Sequence, residues 1–331
     1  MGSDSADFET LGFLTREASE FPIIVNAEVY RSQCPCECRH CPVGRTPPAR
    51  RTARFGEMGM RLWLYGKIVD EISQYPGRML RVHSVGEPLL WKDLAVALEM
   101  SRRKGVPTWI FTCAVTHNRP LLEAVCENAD IVEISLNSTN GSDYLATKGV
   151  DAFELVVENL NFLRGLVDRG AATRLIVSRV QSTDRAADEA FISHWKGTGM
   201  VHDAFVRTYH TYNDLLAELP GGDGDAHRHE PCLVHWARFN IGVRGQAVVC
   251  FNELFKERLD QSLVLGDVNR QPIAEIWHGP AMAALRKAEL SGDYSALPFA
   301  SALPCRDCRS CQPLHGSGPT SEHQIDFLQR R

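Results

Sequence analysis

The 331-residue chain contains no run of 18 uninterrupted apolar residues, so no bilayer-crossing helix is written into it. Its first 21 residues lack the basic-then-apolar layout of a secretion signal, and the chain reads as cytoplasmic. Positive charge is in deficit. With 36 Lys and Arg against 41 Asp and Glu, the net charge of -5 argues against nucleic acid as a partner. The 25 Gly and 17 Pro are too few for a collagenous or low-complexity chain, and 44% apolar with 23% charged residues is an ordinary globular mixture. Gly221, Gly222 and Gly224 do not lead from a strand into a helix, so a dinucleotide-binding reading fails its context test. An even disulfide framework is missing too: the cysteine count is odd, and nothing exports the chain.

The eleven cysteines are nevertheless the anomaly, because they cluster: 34, 36, 38 and 41, then 113 and 126 alone, then 232 and 250, then 305, 308 and 311. Clusters in a reducing compartment point to metal. Short Val-, Ile- and Phe-rich runs predict strands at 22–29, 79–84, 107–112, 131–137, 173–180 and 204–208. Longer amphipathic stretches predict helices at 61–75, 92–104, 120–128, 151–168 and 184–196. Repeated strand–helix alternation implies a parallel sheet with helices outside it, with function at the carboxyl ends of the strands. The Gly- and Asp-rich turn around 219–225 breaks that rhythm. Beyond it lie a predicted hairpin (239–243 and 247–251), one helix over 274–290 and the closing cysteines.

Directly after the first predicted strand, Cys34, Cys38 and Cys41 form a C-x3-C-x2-C run, with Cys36 left over as a spectator. Three thiolates on one loop hold three irons of a 4Fe–4S cube and leave the fourth open, whereas a closed structural zinc site asks for a fourth protein ligand. By this run and its place the chain resembles the radical S-adenosylmethionine superfamily. The resemblance implies an α/β fold: a partial (β/α)6 TIM-like barrel over 22–219. It also implies cofactor contacts. The Ser84-Val-Gly86-Glu87-Pro88 segment resembles the family's GGEP motif, which binds the methionyl amine of S-adenosylmethionine, although Ser84 replaces the first glycine. Glu133, Ser135 and Asn137 alternate on the fourth strand, where the family meets ribose and carboxylate. His40 stands where the family carries an aromatic residue against adenine.

A second order of motifs resembles the SPASM/Twitch extension of these enzymes. Cys232 is followed by a hairpin, Cys250, the Leu265-Gly266 and Glu275-Ile276-Trp277 segments, and Cys305, Cys308 and Cys311. It implies a small domain over 220–315, a β-hairpin plus helix, between an N-terminal segment (1–21) and a tail (316–331). Five cysteines suffice for one auxiliary 4Fe–4S cluster, with one closing thiol unligated and not identified. The resemblance further implies a 5′-deoxyadenosyl radical that takes hydrogen from a hydroxyl-bearing carbon of a sugar or aminocyclitol. Oxidation to a ketone is expected, as in aminocyclitol dehydrogenases of antibiotic biosynthesis. The alternatives are epimerisation with a cysteine hydrogen donor, or a non-catalytic iron–sulfur or zinc protein. A small polar substrate is favoured because only 21 residues precede the first strand, leaving no leader-binding domain. The electron source is an external reductant such as flavodoxin or ferredoxin. Arg179, Arg207, Tyr209 and His210, at predicted strand ends, are the candidates for binding hydroxyls or taking a proton. Cys113 and Cys126 read as core thiols. His227, His229 and Glu230 read as solvated loop, as does the basic run 45–54.

Overall fold

The structure, a computed structural model, describes residues 18–216 and 231–308. The expectations for Cys311, for His227, His229 and Glu230, and for most of the N-terminal segment and all of the tail lie outside these residues.

Six strands run parallel in sequence order: β1 (Ile24–Arg31), β3 (Met79–Val85), β4 (Thr108–Thr112), β5 (Ile131–Ser135), β6 (Arg174–Val180) and β7 (Asp203–Arg207). The short β2 (Met58–Gly59) pairs antiparallel with β1. On the other edge of β1 lies β8 (Arg238–Ile241), also parallel to it, followed by the antiparallel β9 (Gln246–Val248) and β10 (Val264–Asp267). The expected hairpin therefore continues the main sheet and gains a third strand. Each parallel crossover needs a helix over the sheet. These are α3 (Leu62–Ile72), α4 (Leu94–Arg103), α5 (Arg119–Asn128), the pair α6 (Gly141–Lys148) and α7 (Phe153–Asp168), and α8 (Arg185–Gly197). Two shorter helices, α1 (Pro42–Arg45) and α2 (Pro48–Phe55), precede β2.

Because strand side chains alternate, each strand divides between two surfaces. Val25, Leu80, Val82, Ile110, Val132, Ile134, Leu175 and Val177 join the core under the helices, meeting helical stripes such as Leu64, Ile68 and Ile72. The intervening residues face the barrel interior in layers, as side chains do in closed barrels. The lowest layer is apolar: Ile24, Met79, Trp109, Ile131, Ile176 and Phe205. One step toward the carboxyl ends the layer turns polar, with Asn26, Arg81, Glu133, Ser178, Arg207 and Asn240 beside Phe111. The apolar layer plugs the barrel, and the polar one becomes the floor of a cavity.

Two expectations are corrected. The run 45–54 is not a solvated loop: most of it is α2, and Arg51 is 1% exposed. The single helix over 274–290 is two, α10 (Ile273–Trp277) and α11 (Pro280–Ser291), with α9 (Leu233–Ala237) before β8. Pro280 lacks an N–H and disfavours helical backbone in the residue before it, so the chain breaks at Gly279 and restarts with the proline in its first turn.

Candidate active site

A cavity of about 310 Å3 opens at the carboxyl ends of the strands and is lined by both cysteine sets. Cys34, Cys38 and Cys41 reach it from the loop after β1. Cys232, Cys250, Cys305 and Cys308 reach it from the segments before α9, after β9 and after α11.

The first loop is held from three sides. Arg51 donates to the carbonyls of Cys34 (2.5 Å), Cys36 (3.1 Å) and Thr46 (2.9 Å). The end of α6 lies against it, where Glu37 N donates to Lys148 O (2.7 Å) and a Cβ on Gly149 would stand 2.8 Å from Glu37 Cβ. The β3 end closes the third side: Glu87 N donates to Gln33 O (2.9 Å). Gly86 sits at φ 150°, where a Cβ would fall 2.5 Å from Gln33 O. Only glycine lets these strands approach so closely.

Glu87 is 2% exposed and ties two strand ends together, accepting from Leu89 N (3.1 Å), Thr112 Oγ1 (2.6 Å) and Cys113 N (2.8 Å). Ser84, Gly86, Glu87, Pro88 and His40 all line the cavity, as do Glu133 and Ser135. Ser84 Oγ is buried with no hydrogen-bond partner among the described residues, so a bound polar cosubstrate can satisfy it. Asn137 is different. Its φ of 67° ends β5, its Oδ1 accepts from Val180 N (2.7 Å), and it is not among the cavity lining.

The four candidate catalytic residues separate. Arg207 lines the cavity and grips Glu133 at two points, 2.7 and 2.5 Å, with its guanidinium over Phe111 (4.9 Å). His210 also lines it, and burial with nearby Arg238 and Arg207 pushes its pKa down to about 4. Arg179 faces the other way on β6, bound to Asp188 (2.7 Å), Asp143 and the Asn137 carbonyl, and Tyr209 lies off the cavity lining.

Several site residues carry no sequence motif. His83 lies tilted against Phe111 and edge-on to Phe251 (ring centroids 5.3 and 4.1 Å), and its Nδ1 accepts from Ser84 N (2.8 Å). Burial, Arg81 and Arg207 hold it neutral, with a pKa near 3. Lys148, 2% exposed, approaches Ser135 Oγ (3.4 Å). Burial opposes its charge, but negative charge on the sulfurs of Cys38 and Cys36 outweighs that and raises its pKa. Cys126 is the core thiol it was expected to be. Cys113 is not: it lines the cavity, and its sulfur lies within 4.8 Å of those of Cys34 and Cys36. Hydrogen bonds from Cys113 and Cys36 lower the Cys34 pKa to about 6, while burial raises Cys41 to about 11.

Metal-ligand geometry separates an ion from a cluster. Ligands of one zinc or iron ion crowd together, whereas corners of a cube stand apart. Among the described residues, Cys34, Cys36 and Cys113 are the one triple of ligand groups found within 4.8 Å of one another, so neither proposed cluster set is drawn in around a single ion. Both sets present buried or half-buried thiols to a walled space, which fits an inorganic core larger than one ion.

Residues 232–312 match the SPASM family, an iron–sulfur cluster-binding domain. The chain carries a SPASM domain over these residues, and its likeness to S-adenosylmethionine-dependent relatives agrees with the resemblance to radical S-adenosylmethionine enzymes. Among curated proteins it is similar to the S-adenosyl-L-methionine-dependent 2-deoxy-scyllo-inosamine dehydrogenase of Niallia circulans, 22% identical over 92% of this chain and 97% of that one. Among solved structures its fold is similar to that of BtrN in complex with AdoMet and 2-DOIA, with a TM-score of 0.53, 16% identity and coverage of 90% and 96%. It is also similar to native anSMEcpe with bound AdoMet, with a TM-score of 0.59, 12% identity and coverage of 93% and 96%. SuiB of Streptococcus suis, bound to its precursor peptide, gives a TM-score of 0.61 at 12% identity, covering 85% of this chain and 70% of that one. No helix among the described residues is long and apolar enough to cross a membrane.

Proposed function

We propose that this protein oxidises a hydroxyl-bearing carbon of a small sugar or aminocyclitol to a ketone. The observation that carries the reading is the single cavity bordered by two cysteine sets, with an ionic and aromatic floor between them. The dehydrogenase activity in the name of the Niallia circulans relative supports it.

When bound, two 4Fe–4S clusters and S-adenosylmethionine supply electron transfer and a radical able to take a hydrogen atom from an unactivated C–H bond. Cys34, Cys38 and Cys41 hold the first cluster; Cys232, Cys250 and two of Cys305, Cys308 and Cys311 hold the second. Ser84, Gly86, Glu87 and His40 border the cosubstrate, with Lys148 and Ser135 as polar partners. Arg207, fixed by Glu133, and Arg81 offer donors to substrate hydroxyls, and Phe111 and Phe251 give the ring a flat apolar wall. An alcohol that becomes a ketone sheds a hydrogen atom, a proton and an electron. His210, held neutral, offers a ring nitrogen for the proton at the floor, and the second cysteine set lies on the same cavity as the electron acceptor. An external carrier such as flavodoxin or ferredoxin supplies the starting electron.

Epimerisation is the second outcome, favoured by one observation: Cys113, outside both cluster sets, lines the cavity and carries a transferable hydrogen atom. Anaerobic incubation with reductant, S-adenosylmethionine and candidate aminocyclitol or aminoglycoside intermediates in deuterated water separates the two. A ketone without carbon-bound deuterium supports oxidation, and deuterium at the inverted carbon supports epimerisation. Protein that cleaves S-adenosylmethionine without Cys34, Cys38 and Cys41 overturns the assignment of the first cluster.

A further inference from the structure

At the second cysteine set, a buried imidazole and carboxylate are locked together beside the thiols. His235 on α9 and Glu289 on α11 have side chains each 1% exposed, with Nδ1 and Oε1 2.6 Å apart. The same Glu289 Oε1 accepts from the backbone N–H of Cys232 (3.2 Å), and its Oε2 accepts from Trp236 Nε1 (2.9 Å). Arg286, one helical turn earlier, donates to the His235 carbonyl (2.9 Å) and stacks on Trp277 (3.9 Å). The ring therefore has one orientation, and it turns Nε2 to within 3.9 Å of Cys305 Sγ. One carboxylate thus reaches two of the thiol positions: Cys232 through its amide, Cys305 through the imidazole.

We infer that His235, oriented by Glu289, donates an N–H···S hydrogen bond to the Cys305 thiolate and raises the reduction potential of the auxiliary cluster, making it the better electron acceptor. The inference rests on Cys305 being a ligand of that cluster. A cluster becomes more negative when it accepts an electron, so a donor aimed at a ligand sulfur stabilises the reduced state more than the oxidised one. Direct ligation by His235 fits less well. Two ligands at separate corners of one cube stand farther apart than Nε2 and Sγ do here, whereas that spacing suits an N–H···S contact. Glu289 accepts the Nδ1 N–H, so an N–H at Nε2 makes the ring an imidazolium, a cation seated between the carboxylate on one side and the Cys305 thiolate on the other. His235 is thus a positioning residue, acting on the substrate's electron through Cys305.

The test is a potentiometric titration of the anaerobically reconstituted full chain, followed by electron paramagnetic resonance. His235→Phe should move the auxiliary midpoint to a more negative potential and leave the S-adenosylmethionine-perturbed signal of the first cluster where it was. His235→Gln, which keeps an N–H donor without the charge, should restore part of the shift, and Glu289→Gln should shift it in the same direction but less. If His235→Phe fails to hold the auxiliary cluster, the two glutamine variants carry the comparison. An unchanged auxiliary midpoint in variants that keep both clusters overturns the inference, as do equal shifts of both clusters or strong nitrogen hyperfine coupling to the auxiliary cluster. Wild-type protein that takes up iron for one cluster only overturns the underlying reading of the cysteines and this inference with it.

Discussion

Glu133 and Arg207, 74 residues apart in the chain, meet in a two-point ion pair on the cavity floor, the carboxylate 1% exposed and the guanidinium backed by Phe111 and Phe205. Planar pairing of this kind fixes the direction of the remaining guanidinium N–H groups, which a lysine cannot reproduce. Arg207→Lys is therefore expected to keep both clusters and the cleavage of S-adenosylmethionine. Substrate oxidation should fall about tenfold or more, the equivalent of ~1.4 kcal/mol of positioning lost in the transition state. Arg207→Met leaves Glu133 buried without its cation and should cost about 3–5 kcal/mol of folding stability. Denaturant unfolding and product assays on the two variants separate these effects, and a lysine variant with wild-type turnover removes Arg207 from substrate binding.

The strands and the first cysteine loop are legible because their signals are local: short runs rich in Val, Ile and Phe, and ligand spacing within eight residues. Alternation along each strand further separates inward from outward side chains. On β6, Ser178 and Val180 line the cavity, so Arg179 between them has to point away, and it pairs with Asp188 instead. Arg207 shares its face with Phe205 and points inward. The His235–Glu289 pair and the approach of Cys113 to Cys34 span 54 and 79 positions, and no local pattern announces them. Arg51 was hidden differently. A run of arginines and prolines reads as a solvated loop until the carbonyls of the cysteine loop are seen converging on one guanidinium.

That convergence makes Arg51 a clamp on the loop rather than a ligand. Arg51→Met leaves three buried or half-buried carbonyls without their donor, each worth about 1–3 kcal/mol when unsatisfied. The expected result is selective. Reconstituted variant should lose about half its iron, along with the paramagnetic signal that S-adenosylmethionine perturbs, while the auxiliary signal persists. Retention of both signals at wild-type intensity shows that the loop holds its shape without the arginine.

Cys113 tests the motif itself. Its sulfur is close to Cys34, yet the C-x3-C-x2-C spacing assigns the ligands to Cys34, Cys38 and Cys41. Cys113→Ser should therefore keep full iron content and full reductive cleavage of S-adenosylmethionine, whereas Cys34→Ala, Cys38→Ala and Cys41→Ala should each abolish cleavage. Loss of first-cluster iron in Cys113→Ser places that thiol among the ligands. With iron retained, loss of carbon-bound deuterium from the product in the serine variant identifies Cys113 as the hydrogen donor of an epimerase.

Glu28 on β1 gives the fold a pH dependence separate from the chemistry. The residue is fully buried, accepts from Val243 N (2.8 Å) and pairs with Arg31 Nε (3.1 Å). Burial, opposed by Arg31 and the Val243 amide, pushes its carboxyl up from 4.5 to about 7. The native state thus keeps this proton at pH values where the unfolded chain has released it, so stability falls as pH rises from about 4.5 to about 7 and levels off above. The full span is ~3 kcal/mol. Glu28→Gln keeps an oxygen for Val243 and carries no ionisable proton. Denaturation midpoints of the two proteins should lie close together near pH 4.5 and separate toward pH 7, where the glutamine variant is the more stable. Midpoints that run parallel across this window show that the carboxyl ionises as readily in the folded protein as in the unfolded chain.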